Sequence, residues 1–183
     1  MTPRSLGKLV VILSWALLAN LVHATPVHAT PVHANPPAFS LDWPPTLELD
    51  HTLVQTSLYT RHFDPDPEHT NHQELIGLEF HTPDDWLAGG AHFQNSFAQE
   101  TFYLYIGRQF PLWHFAHDTT LRAKLTAGLL HGYRGEYRDK IPFNHLETAP
   151  AALPSIGIRW KRVEGDLIVF GAAGLMVTAG LRF

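Results

Sequence analysis

The stretch GLMVTAGLRF, residues 174–183, decides the fold: Val177, Ala179, Leu181 and Phe183 alternate with Thr178, Gly180 and Arg182. A period of two marks a strand with one apolar face, because successive side chains leave the backbone on opposite sides. Working back from this stretch, the same grammar recurs in runs at about 53–62, 73–81, 86–97, 101–110, 120–133, 151–161 and 165–171, separated by turn signals. Ile76, Leu78 and Phe80 form one apolar set; Leu87, Gly89, Ala91 and Phe93, then Phe102, Leu104 and Ile106, form others. Opposite them stand His92, Gln94 and Ser96, Tyr103 and Tyr105, and Arg122, Lys124 and Thr126. No window sustains a helical period, so the region is all-β with eight strands.

Alternation alone does not name the solvent, since a soluble barrel shows it too. Composition narrows the choice. The 183 residues are 45% hydrophobic and 16% charged, with no Cys and a net charge of −4. Disulfide frameworks, thiolate metal sites and thiol enzymes are excluded, and the acidic balance without a basic run argues against nucleic-acid binding. Arg4 and Lys8 precede an apolar stretch at residues 9–18, and Val22, His23 and Ala24 fit a cleavage site, so residues 1–24 read as a secretory signal peptide. A last amphipathic strand ending in Phe is similar to the recognition signal of bacterial outer-membrane barrels. With the signal peptide and the even strand count, it leads to the expectation of an eight-stranded antiparallel transmembrane β-barrel at residues 51–183.

Between signal and barrel, residues 25–29 and 30–34 repeat Thr-Pro-Val-His-Ala, and Pro36, Pro37, Pro44 and Pro45 continue the irregular text. Proline stiffening and the lack of supporting groups make residues 25–50 a linker rather than a metal site. Two further clusters, Glu68 with His69 and His72, and His114 with His117 and Asp118, carry ligand-type side chains. They fall on opposite sides of the expected membrane and read as solvated loops. Neither metal nor cofactor is expected.

With both barrel ends periplasmic and periplasmic turns short, the first strand ends outward near His62 and the third near Asn95 and Ser96. Thr82, Pro83, Asp84 and Asp85 turn on the inner side, and the fifth strand leads into the longest loop, residues 134–150. His62, Asn95, Ser96, Arg134, Glu136, Arg138, Asp139 and Lys140 therefore share the outer rim. Parity directs Ser96 into the lumen with His92 and Gln94. A hydroxyl beside an imidazole suits acyl chemistry, because the ring can remove the hydroxyl proton. The rim bases fit phosphate groups or, with Glu136 and Asp139 interleaved, a solvated loop.

Phe93, Gln94, Asn95, Ser96 and Phe97 resemble the strand-end Phe-x-Asp-Ser-Trp segment of the lipid A palmitoyltransferase family (PagP). Without a gap, Gly107 falls where that family has the glycine flooring its acyl-chain pocket. Leu125, Thr126, Ala127 and Gly128 are similar to its next outward strand, and Ile141 and Pro142, then Leu153, Pro154, Ser155, Ile156 and Gly157, resemble its proline-bearing loop and return strand.

The resemblance implies an outer-membrane acyltransferase moving palmitoyl from a glycerophospholipid to lipid A, with membrane lipids as partners and a monomeric barrel. It places catalysis at Ser96 and at a His on the first strand. Tyr59 or His62 can be laid on that position; His62 is preferred, with His69 and His72 as reserves. An inward His62 brings Leu58 inward by parity and sends Gln55 and Ser57 to lipid, so a bulge or a loop conformation at the rim is needed. Asn95 replaces the family's Asp, and Asp64, Asp66 or Glu68 could supply the missing negative charge. On this reading His62 is the general base toward the acceptor hydroxyl, while Ser96 and Asn95 position the donor ester. Arg134, Arg138 and Lys140 would hold the phosphates of lipid A, and Pro142, Pro150 and Pro154 would loosen the sixth strand as a lateral gate between strands five and six. The competing classes are a non-enzymatic carrier or structural barrel and a lipid A deacylase using the same Ser and His.

Overall fold

The computed structural model describes residues 45–64, 69–71, 73–115 and 117–183. The expected signal segment and both pentapeptide copies lie outside these residues, as do Asp66, Glu68 and His72. The strands are β1 (His51–His62), β2 (Ile76–His81), β3 (Trp86–Gln94), β4 (Glu100–Phe115), β5 (Thr119–His131), β6 (Thr148–Trp160), β7 (Val163–Val169) and β8 (Gly174–Arg182). Each pairs antiparallel with the next and β8 pairs with β1, closing an eight-stranded barrel. Closure gives every strand a partner on both sides. Three connections at one end are tight, the shortest at residues 161–162; the opposite end, the rim, carries the longer loops at residues 63–75 and 132–147. At the base, His117 and Asp118 take consecutive left-handed conformations just before β5.

The outer wall is apolar. Ile76, Leu78 and Phe80 of β2, Phe102, Leu104 and Ile106 of β4, and Ile156, Ile158 and Trp160 of β6 all point outward and are exposed. On the inner face, Gln55 of β1, Glu79 of β2, Gln109 of β4, Arg122 and Lys124 of β5, and Glu164 and Asp166 of β7 are buried in the lumen. Apolar outside and polar inside is the arrangement of a transmembrane barrel of the outer-membrane type.

Two places depart from simple alternation, and both position the rim. In β1 the register against β8 shifts between Ser57, opposite Thr178, and Tyr59, opposite Val177. Leu53 and Gln55 are buried below the shift, Leu58 and Tyr59 are both exposed, and Thr60 is buried again. Of the two expected remedies, a bulge or a loop conformation, the strand takes the bulge: one extra residue lets Gln55 and His62 share the lumen side. In β3 the expected parity is reversed. Leu87 and Ala91 are buried within, whereas His92 faces outward, pairing with Glu100 at 2.5 Å and packing on Phe102. Ala88, Gly89, Gly90 and Ala91 are small on both faces, so hydrophobicity does not fix which side of this strand faces lipid. Leu87 decides it by filling the lumen.

The lumen has two halves. Toward the base, Lys124 Nζ donates to both Glu79 oxygens (2.9 and 3.2 Å) and lies 3.2 Å from Asp166. Arg122 donates to Glu164 (2.5 Å) and Asp166 (3.0 Å), and Gln55 and the Tyr105 hydroxyl donate to Glu79. Such charges are tolerable in a low-dielectric interior only because they are paired and hydrogen-bonded. Toward the rim the lining turns apolar: Leu75, Ala91, Tyr103 and Met176, with Phe93, Leu130, Ala151, Leu153 and Phe170 packed against them.

Candidate active site

His62 is the last residue of β1, and Ser96 lies in the turn between β3 and β4. The turn is held from beneath by Asn95, which is only 1% exposed. Its side-chain oxygen accepts the backbone N–H groups of Phe97 (2.9 Å) and Gln99 (3.1 Å), and its amide nitrogen donates to Gln99 Oε1 and the Gly132 carbonyl. Short polar side chains that bond their own backbone are strong turn formers. Ala98 completes the turn at φ 56°, the left-handed region. The Ser96 carbonyl also accepts the Thr70 N–H at 2.8 Å, tying the first rim loop to this turn.

These constraints bring the predicted pair together. His62 Nε2 lies 2.6 Å from Ser96 Oγ. His62 Nδ1 lies 2.9 Å from Asn71 Oδ1, so among the described residues the ring is oriented by an amide; Asp64 is exposed on the loop. The Tyr133 hydroxyl is hydrogen-bonded to Ser96, and burial pushes its pKa above the usual phenol range. It therefore remains protonated at any physiological pH.

An aromatic group roofs this cluster. The His69 ring lies 4.7 Å from that of His62 and meets Phe97 edge-on at 5.1 Å, while Phe97 stacks on Tyr137 at 4.0 Å. Lys140 Nζ lies 5.3 Å from the centre of the Phe97 ring, within cation–π range. The three expected phosphate-binding bases are thus not equivalent. Lys140 adjoins the Ser96 turn; Arg134 is engaged with Glu147 at 3.2 Å; Arg138 is exposed, its carbonyl accepting from Asn144.

Gly107 faces inward where the two halves of the lumen meet, between Tyr105 and Gln109 on β4. A Cβ there would stand 2.6 Å from the Leu125 carbonyl oxygen and 2.9 Å from Thr126 Cγ2, so only glycine fits this β4–β5 approach. The expected opening between strands five and six is not where the wall is incomplete. β5 and β6 pair along the whole of β6, with Pro150 opposite Leu129 and Pro154 opposite Leu125. β6 pairs with β7 only over residues 155–160, because β7 has 7 residues against 13. The rimward half of β6, with both prolines at or near its unpaired edge, faces a seam on the β7 side.

Sequence reading missed Asn71 and Tyr133. Asn71 sits among His residues that draw attention to themselves, and Tyr133 directly precedes the basic loop. Neither stands in a motif; only the folding of two loops brings Asn71 to His62 and Tyr133 to Ser96.

No family model and no curated protein matches the chain. Among solved structures it is similar to Ail, the attachment invasion locus protein of Yersinia pestis, solved in complex with the heparin analogue sucrose octasulfate. The identity is 13% and the TM-score 0.34, over 73% of this chain and 96% of that one. The reading of the site therefore rests on its own geometry.

Proposed function

We propose that this protein is an outer-membrane acyltransferase that moves a palmitoyl chain from a glycerophospholipid to lipid A. The observation that carries the reading is the 2.6 Å contact of His62 Nε2 with Ser96 Oγ at the mouth of an apolar upper lumen. An imidazole on a hydroxyl supplies acyl-transfer chemistry. The apolar lining above the charged half has the chemistry to receive a hydrocarbon chain. The β6–β7 seam gives a lipid a way in from the side, and Lys140 stands where an anionic acceptor would approach.

Mass spectrometry of lipid A from cells with and without the protein tests this. A gain of one palmitoyl group is expected. Loss of an acyl chain would mean a deacylase, and an unchanged profile a non-enzymatic barrel. His62→Ala and Ser96→Ala are each expected to abolish the gain while the barrel still inserts; full transfer by either variant would refute the site.

A further inference from the structure

The same contacts say which hydroxyl the base serves. Asn71 Oδ1 is an amide oxygen and can only accept, so the 2.9 Å contact places the imidazole proton on Nδ1. In the neutral ring the lone pair is then on Nε2, and the 2.6 Å contact is Ser96 O–H donating to it. The lone pair that would activate an incoming acceptor is already held by Ser96. The arrangement of hydroxyl, imidazole and orienting amide is that of a nucleophilic triad, recognisable by geometry and roles. Asn95 contributes none of these groups, since both ends of its amide are engaged within the turn and with Gly132.

We infer that Ser96 is the nucleophile, that the acyl chain passes through an ester on its Oγ, and that Asn71 is the positioning residue that fixes the His62 tautomer. This rests on the acyl-transfer reading and changes its route. In the first half, Ser96 Oγ bonds to the acyl carbon as its proton moves to His62 Nε2. The ester bond to the glycerol oxygen breaks, and that oxygen takes the proton from Nε2 and leaves as a lysophospholipid. In the second half, the acceptor hydroxyl gives its proton to Nε2 and its oxygen bonds to the acyl carbon. Ser96 Oγ then leaves and recovers the proton. The Tyr133 hydroxyl, hydrogen-bonded to Ser96 and kept protonated by burial, is the neighbouring group that would donate to the carbonyl oxygen as it gains charge.

The test uses the purified full chain in detergent with dipalmitoylphosphatidylcholine and no lipid A, quenched in acid and read by intact mass and peptide mapping. One palmitoyl ester on Ser96 and one lysophospholipid per protein are expected, and lipid A should then discharge the ester. With both substrates varied, the kinetics should be ping-pong. Palmitoylated lipid A formed with no adduct and with ternary-complex kinetics would overturn the covalent route and leave the acyltransferase intact. An adduct that lipid A cannot discharge would leave the nucleophile standing and remove the acceptor. Neither adduct nor transfer would overturn both.

For the positioning residue, Asn71→Ala should lower kcat on the order of 10²-fold with KM little changed, the scale of a misoriented catalytic group. Asn71→Asp, which also accepts from Nδ1, should recover most of the loss. Equal loss in both variants, or none in Asn71→Ala, would overturn that role.

Discussion

At the scale of single residues, the site divides into groups that act by chemistry and groups that act by placement. Tyr133 belongs with the first, because burial keeps its hydroxyl protonated beside Ser96. Tyr133→Phe should therefore lower transfer on the order of 10²-fold, the loss typical of one donor to a developing oxyanion, with the melting curve in detergent nearly unchanged. Comparable rates for variant and parent would remove it from the mechanism. Asn95 belongs with the second: Asn95→Ala would release the N–H groups of Phe97 and Gln99 and should unsettle the turn, which circular dichroism and activity would report together. That His62 and Ser96 share the rim was legible in the sequence, because the order of strands and turns put the outer ends of the first and third strands at one end of the barrel; the inward parity counted for Ser96 with His92 was not. Asn71 and Tyr133 were not, because a loop residue's neighbours depend on how two loops cross, which no periodicity encodes.

At the scale of elements, the eight strands and the apolar outer face followed from alternation, and the wall bears this out wherever one face is bulky. Leu104 is 68% exposed on the outside of β4, so Leu104→Arg should destabilise the inserted barrel by about 2–4 kcal/mol if it sits near the bilayer midplane. Urea unfolding in lipid vesicles would measure it, and no shift would contradict a lipid-facing β4. The orientation of β3 was not legible, since Ala88 to Ala91 present nothing large on either side. The need for a bulge or a loop conformation in β1 was, because Gln55 and His62 cannot both face inward on a regular strand. The seam was expected one strand too early: prolines show where a ladder is weakened, but the short length of β7 decides which neighbour is missing. A disulfide joining rimward β6 to the chain after β7 should accordingly block transfer by the oxidised protein and release it on reduction, whereas a β5–β6 bridge should do little.

At the scale of the molecule, the two halves of the lumen do different work. Lys124 is 4% exposed and neutralises Glu79 and Asp166 together. Lys124→Met should leave two buried carboxylates short of a partner and destabilise the barrel by about 3–5 kcal/mol; equilibrium unfolding would register it, and an unchanged midpoint would show that water reaches this region freely. The sequence announced the inward Arg122, Lys124 and Thr126, yet the partition into a charged base and an apolar top depends on how neighbouring strands stagger, which the text of any one strand does not state. An eight-stranded bore is only just wide enough for side chains, and here its lower reach is occupied by interlocked ions. In a planar bilayer the protein should pass no steady current. On the proposed acyltransferase reading, lipids would travel within the plane of one leaflet and through the flank of the cylinder, so the cell would gain a workbench in its outer envelope without gaining a leak.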